Sequence, residues 1–124
     1  MIGYVTIGTN DLEGAKAFYD PIAEMLGHRQ LMASDRMVGW GTPYKDALLC
    51  LIKPHDEQPA TVGNGTMIGL VAENEEVVQR VYDYALAHGG SDEGPPGPRG
   101  EAFYGAYFRD PEGNKLVVFL YTAV

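Results

Sequence analysis

Few residues of this 124-residue chain are suited to bond-making chemistry: three histidines, one cysteine and eight tyrosines. A metal centre wants imidazole and carboxylate donors repeated at a spacing that puts them on one face of a strand or helix. His28, His55 and His88 have no partners at such spacing. His88 closes a helical stretch, where a cationic ring suits the helix dipole. His55 stands beside Asp56 and Glu57 in a run of turn residues and reads as a solvated loop. His28 opens a strand just after Gly27. Cys50, the sole cysteine, excludes an internal disulfide and a cysteine-rich metal site. Alternation with Leu48 and Ile52 gives it outward parity, against a helix, as an inert thiol. Tyr4 and Tyr121 can act as general acids only with lowered pKa values, and no cation stands near them in the sequence. Arg99 and Arg109 are the candidate anchors for an anionic ligand group.

Composition narrows the partners. Seventeen acids against nine bases give a net charge of −8, and no basic stripe offers itself to a phosphate backbone. Neither nucleic acid nor an anionic membrane surface is expected as a partner. No apolar run approaches the roughly 18 residues of a membrane span. The N-terminus lacks a basic region followed by an apolar stretch, so no cleaved signal is expected, and a cytoplasmic location fits the single cysteine.

These side chains must be positioned by a chain that is written twice. An offset of 63 residues lays Tyr4–Thr9 on Met67–Ala72 and the helical stretch Asp11–Asp20 on Asn74–Asp83. In the first copy, the alternating run Ile2–Gly8 predicts a strand, and Asn10 or Asp11 can cap the following helix. Leu12, Ala15, Phe18, Tyr19, Ile22 and Leu26 recur at helical spacing. Pro21 predicts a kink or restart, and Gly27 ends the helix. His28–Ala33, Met37–Gly41 and Ala47–Lys53 read as strands. Residues 54–65 form a bridge between module 1–53 and module 66–124. The second helix, about Asn74–His88, stops at Gly89-Gly90. Gly94–Gly100, rich in glycine and proline, reads as an exposed loop. Ala102–Arg109 and Lys115–Thr122 read as strands joined by the turn Asp110–Asn114.

Four segments together resemble the vicinal oxygen chelate superfamily, the group of glyoxalase I, bleomycin-resistance proteins and extradiol dioxygenases. They are the opening strand with Asn10–Glu13 and Phe18-Tyr19, the bridge Gly63–Thr66, the strand Tyr104–Tyr107, and the turn Asp-Pro-Glu-Gly-Asn at 110–114. The resemblance implies an α+β fold in which two repeated β-α-β-β-β modules form a curled mixed sheet around a cleft, as one domain. It also implies a homodimer. Metal-dependent members of the family place ligands in the first and last strands of each module. Those positions fall here on Tyr4, Leu49, Met67 and Val117, where Leu49 comes from aligning Lys45–Ile52 with Gly113–Leu120. Val and Leu donate nothing and a thioether favours soft Cu(I), so no family-type metal site and no cofactor are expected.

Strand alternation from those positions predicts an apolar, aromatic lining. It comprises Tyr4, Thr6 and Gly8; Met67, Gly69 and Val71; Leu49 and Leu51; and Val117, Phe119 and Tyr121. The opposite faces pack against the helices. Gly8 and Gly69 point to space for a neighbour or a ligand. Trp40, Tyr44, Phe103, Tyr104 and Tyr107 are aromatics near strand ends; of these, Trp40 and Tyr104 join the expected ligand-binding set. Such a lining can hold a small apolar or aromatic molecule, or it can fill itself and leave no pocket. Three readings follow in order: a metal-free binding protein like the bleomycin-resistance branch, a metal-dependent lyase or dioxygenase of the glyoxalase type, and a metal-independent enzyme using Tyr4 or Tyr121.

Overall fold

Each helix of this chain is amphipathic along one stripe only, so each can cover one face of one sheet. In the computed structural model, which describes residues 1–42 and 45–122, that limit produces an α+β fold of two compact units, Met1–Val62 and Gly63–Val124.

Unit 1 contains β1 (Tyr4–Gly8), α1 (Leu12–Met25), β2 (Arg29–Ala33), β3 (Met37–Gly41) and β4 (Leu48–Ile52). Its four-stranded sheet runs in the order β1-β4-β3-β2, with β1 parallel to β4 and the other pairs antiparallel. Asp11 caps α1: its carboxylate accepts from the Gly14 backbone N–H at 3.0 Å, while its own N–H donates to Thr9 Oγ1 at 3.0 Å. The buried stripe is Leu12, Ala15, Phe18, Tyr19, Ile22 and Ala23. The helix does not restart at Pro21 but runs on to Met25. Phe18, Tyr19, Ile22 and Ala23, all buried on either side of the proline, hold the segment in place through the one backbone bond that proline cannot make. At the far end Gly27, at φ +83°, lets the His28 N–H donate to Ala23 O at 2.9 Å and its own N–H donate to Glu24 O at 3.0 Å. That is a Schellman closure.

Unit 2 repeats the design with β5 (Ile68–Val71), α2 (Glu75–Ala87), β6 (Ser91–Pro98), β7 (Phe103–Arg109) and β8 (Lys115–Tyr121). The strand order β5-β8-β7-β6 matches that of unit 1, with β5 parallel to β8. Asn74 caps α2 by accepting from Val77 N–H at 3.0 Å, and the Gly90 N–H closes its end on Ala85 O at 2.8 Å. The segment expected to be an exposed loop is instead most of strand β6. It pairs antiparallel with β7 through two register shifts, between Asp92 and Gly94 and between Gly94 and Gly97. Its three prolines are tolerated because β6 is an edge strand with one bonded side; the second shift leaves Pro95 and Pro96 out of the ladder, while Pro98 pairs with Tyr104.

The turn Asp110–Asn114 holds β7 and β8 in register. The buried Asp110 carboxylate accepts from the backbone N–H groups of Glu112 (3.0 Å) and Asn114 (2.9 Å) and from the Asn114 side-chain amide (2.8 Å). Removing the acceptor orphans those donors in a buried turn, a cost of roughly 1–3 kcal/mol for each group left unmade. Asp110→Ala is therefore expected to lower unfolding stability by about 2–4 kcal/mol. Urea denaturation followed by circular dichroism checks this, and a loss below about 0.5 kcal/mol would show the turn to be incidental.

Candidate functional site

Laterally paired residues on neighbouring strands share a face, so the ladders decide which side chains can meet a ligand. In β1 and β4, Tyr4 lies beside Leu48 and Thr6 beside Cys50, whereas Val5 lies beside Leu49 and Ile7 beside Leu51. In β3, Trp40 stands next to Leu49 and Gly39 next to Cys50. Trp40 identifies the helix side. Its indole N–H donates to Asp20 of α1 at 2.6 Å, and its ring lies 5.8 Å from that of Tyr19.

Two corrections follow for unit 1. Leu49 and Leu51 face α1, not the open side, and Cys50 occupies the position assigned to Leu49. The structural repeat agrees. Thr6 corresponds to Gly69 across the duplication; Gly69 pairs with Val117, and Thr6 pairs with Cys50. The slip is one residue, which reverses every side chain of a strand. The five residues of β4, Leu-Leu-Cys-Leu-Ile, have no polar alternation to reveal it. Trp40 is the second correction: at 3% exposure and bonded to Asp20, it is part of the helix–sheet packing.

The open face of unit 1 thus presents Tyr4, Thr6, Leu48 and Cys50. Tyr4 is 65% exposed, whereas Cys50 is 1% exposed. A Cβ at Gly39 would come within 3.0 Å of both Cys50 Sγ and Met32 Cγ. Met32 therefore folds over Gly39 toward Cys50 and shields it. Burial pushes the Cys50 thiol pKa up, so the thiol is protonated and inert, as expected, although on the opposite face from the one expected. Gly8 makes room for a neighbour: a Cβ there would meet Ala60 Cβ at 3.0 Å, and Asn10 accepts from Ala60 N–H at 2.8 Å.

In unit 2 the ladder pairs Gly69 with Val117 and Val71 with Phe119. It also pairs Gly105 with Phe119, Tyr107 with Val117 and Phe103 with Tyr121. Met67 immediately precedes β5 with the parity of Gly69. All of these share the face that α2 leaves open. Tyr104 does not: it pairs with Leu120 and has the parity of Ala106 and Phe108, which are fully buried with the α2 stripe of Val78, Val81 and Ala85. On the open face Phe103 stacks on Phe119 (centroids 4.8 Å apart, rings 8° from parallel), and Tyr121 meets Phe119 edge-on at 5.2 Å. The Phe119 ring lies against Gly69, where a Cβ would sit 3.1 Å from it. Met67 (43%), Val71 (63%) and Tyr121 (69%) remain exposed.

The charged groups of unit 2 are unequal. Arg109 is taken up: its Nε donates to Glu93 at 2.6 Å and its Nη1 to Gly113 O at 2.8 Å. The hydrogen bond and charge of Arg109 hold the Glu93 carboxyl below its ordinary pKa. Arg99 instead lies over the Tyr107 ring, a contact the sequence did not suggest. Tyr44 falls outside the described residues. The histidines are not assembled: His88 bonds to Tyr84 O at 2.8 Å and stacks on its ring at 4.0 Å, while His28 bonds to Thr42 Oγ1 at 2.9 Å. His55 lines a separate groove of about 810 Å³ at the strand ends of unit 1, with Arg36, Lys53 and Glu57 and without a Phe, Tyr or Trp.

Two β-α-β-β-β units with matching strand order and one open face each define a glyoxalase-type architecture. A model of the Glyoxalase/Bleomycin resistance protein/Dioxygenase superfamily matches residues 1–118, and the chain belongs to that superfamily. A glyoxalase/bleomycin resistance protein from Albidiferax ferrireducens is 36% identical over 97% of this chain and 98% of its own, with a TM-score of 0.89. A family enzyme from Burkholderia phytofirmans (21% identity, 95% and 96% coverage, TM-score 0.75) shares the fold. So does a lactoylglutathione lyase from Agrobacterium tumefaciens (22% identity, 97% and 92% coverage, TM-score 0.68). No curated protein matches the chain significantly. No helix among the described residues is long and apolar enough to cross a membrane.

The metal that the family implies can now be tested against the donors present. With the register corrected, the four positions are Tyr4 and Cys50 in unit 1 and Met67 and Val117 in unit 2. Val117 has no donor atom, Met67 offers only a thioether, and Cys50 is a single buried thiol. Carboxylate and imidazole are both missing, so these residues do not fit a hard or catalytic divalent ion. Among the described residues no group of three or more His, Cys, Asp or Glu comes together elsewhere.

Shielding by Met32 gives a direct check. A thiol-specific chromogenic reagent is expected to label native Cys50 at least about 100-fold more slowly than the urea-unfolded chain, because the thiolate must form and be reached. Met32→Ala is expected to speed native labelling. Equal native and unfolded rates would show that Cys50 is open.

Proposed function

We propose that this chain binds a small apolar or aromatic molecule on the open faces of its sheets, as a metal-free member of its superfamily. One observation carries the reading: the faces that the helices leave uncovered display Tyr4, Met67, Val71 and Tyr121 to solvent, and of these Tyr4 and Met67 stand where metal-dependent relatives need donors. Large apolar side chains gathered on one face of a sheet favour a partner that removes them from water, at about 25 cal/mol per Å² buried. The aromatic cluster of Phe103, Phe119 and Tyr121 offers ring edges and faces to a flat ligand. We propose that the two modules act together as one glyoxalase-like domain, and that two copies of the chain pair to complete the binding surface. A soluble cytoplasmic protein suits this role. The lyase and dioxygenase readings rank lower because they require donors that Val117 and Met67 do not supply. The fold shared with a lactoylglutathione lyase does not provide those donors.

Titration calorimetry of the untagged chain with a panel of small aromatic compounds, with and without chelator, tests the proposal. Saturable binding with a dissociation constant in the micromolar to millimolar range, unchanged by chelation, is the expected outcome. Tyr121→Ala should weaken it by about 1 kcal/mol, the worth of one aromatic contact. Trp40 fluorescence should stay constant during the titration, since that indole packs on α1. About one tightly held metal ion per chain by mass spectrometry, with chelator-sensitive turnover, would overturn the proposal.

A further inference from the structure

Of the five methionines and one cysteine, two bring their side chains together over a single glycine. In one row across the open face of unit 1, Met32 of β2 pairs with Gly39 of β3. Gly39 in turn pairs with Cys50 of β4, and Cys50 with Thr6 of β1. Both sulfur-bearing neighbours lean into the space the glycine leaves. A Cβ there would lie 3.0 Å from Cys50 Sγ, 3.0 Å from Met32 Cγ and 3.4 Å from Met32 Sδ. An unbroken ladder would not give this pairing. Gln30 pairs with Trp40, so Leu31 would stand opposite Gly39, but a register shift between Gln30 and Met32 skips Leu31. A bulge re-aims a side chain, and this one sets a thioether where a leucine would stand.

The two side chains differ in access. Met32 is 41% exposed, whereas Cys50 is 1% exposed. A thioether within reach of solvent is open to peroxides, while a buried thiol reacts slowly because the thiolate must form and be reached. Burial raises the Cys50 pKa and so keeps its thiol protonated. β2 is the edge of its sheet, with one bonded side, so Met32 can turn outward without disturbing a second ladder.

We propose that Met32 is a peroxide-sensitive cover over Cys50, whose oxidation makes the thiol reactive. The thioether sulfur attacks one oxygen of hydrogen peroxide, so that an S–O bond forms as the O–O bond breaks. Sulfur gives up two electrons; the departing hydroxide takes the proton of the transferred hydroxyl and leaves as water. The resulting sulfoxide places a strong acceptor over Gly39 and against the Cys50 thiol, which is a weak donor. A polar atom packed without a good partner is unfavourable, so the sulfoxide turns to water and uncovers Cys50. Release from burial brings the thiol pKa down toward its ordinary value, and more thiolate is present at neutral pH. This device is independent of the ligand proposed above.

The test treats the native full chain with hydrogen peroxide, removes the excess, and follows Cys50 with the thiol-specific chromogenic reagent. Labelling is expected to be at least about tenfold faster than in the untreated chain, recovering part of the roughly 100-fold protection expected of the native fold. Treatment with both epimer-specific methionine sulfoxide reductases should restore the slow rate. Met32→Leu keeps an apolar cover without the oxidisable sulfur. Its labelling should stay slow after peroxide, although the exposed Met1 and Met67 are still oxidised. Loss of the thiol itself during peroxide treatment, in wild type and not in Met32→Leu, supports the proposal too, since it also requires an uncovered Cys50. An unchanged rate and thiol count in wild type, with Met32 sulfoxide confirmed by mass spectrometry, overturns it. Acceleration that persists in Met32→Leu, or that the reductases do not reverse, overturns it as well. If Met32→Leu is labelled quickly before any peroxide, reversal by the reductases in wild type decides the matter.

Discussion

One helix per sheet is the constraint from which the rest follows. A four-stranded sheet has two faces, and each unit supplies a single amphipathic helix to cover one of them. The covered faces read as ordinary interior: Ile7, Val38, Leu51 and Trp40 under α1, and Ala106, Phe108, Leu116 and Val118 under α2 are nearly or wholly inaccessible to solvent. The opposite faces keep Tyr4, Met67, Val71 and Tyr121 exposed, and everything proposed about ligand and partner follows from that imbalance. Helix caps maintain it. Asp11 and Asn74 satisfy the first turns by the same side-chain bond, to the N–H three residues on, so each helix starts at a fixed point above its sheet.

Much of the architecture was legible because duplication supplies an internal control. Both helices, the strand preceding each one and the final hairpin with its Asp110 turn fall close to where periodicity and turn residues put them. Two elements escaped. A strand made of glycine and proline does not look like a strand, because β propensity measures packing of side chains that β6 lacks; it pairs because β7 offers it a free edge. Pro21 pointed to a kink or restart, but the helix does not restart there, because tertiary burial around it outweighs one missing backbone bond.

The open face was legible along the last strand of unit 2 and illegible in part of unit 1. Lys115–Tyr121 lies between residues whose turn fixes their count, so Val117, Phe119 and Tyr121 could be assigned parity from Asn114. Strand β4 consists of five apolar residues, so its phase rests on nothing local. That is why Leu49 was exchanged for Cys50, and why Cys50 was assigned to the wrong face. Trp40 and Tyr104 illustrate the same limit. An aromatic near a strand end is equally able to face a ligand or a helix, and only a partner such as Asp20 decides it.

Glycine in these strands proves to be a record of close approach. Gly8 admits Ala60, Gly39 admits Met32 and Cys50, and Gly69 admits the Phe119 ring. Gly8 and Gly69 were, from the sequence alone, as good markers of ligand space as of a neighbour. The distinction matters most on β6. There Gly94 and Gly97 admit a charged side chain held by carbonyl oxygens. A guanidinium needed only for strand stability could have been met by a carboxylate across the edge, as Arg109 is met by Glu93. Arg99 is instead fixed by neutral acceptors, which orient it without cancelling its charge. Orientation without neutralisation sets Arg99 apart from Arg109 on the same sheet.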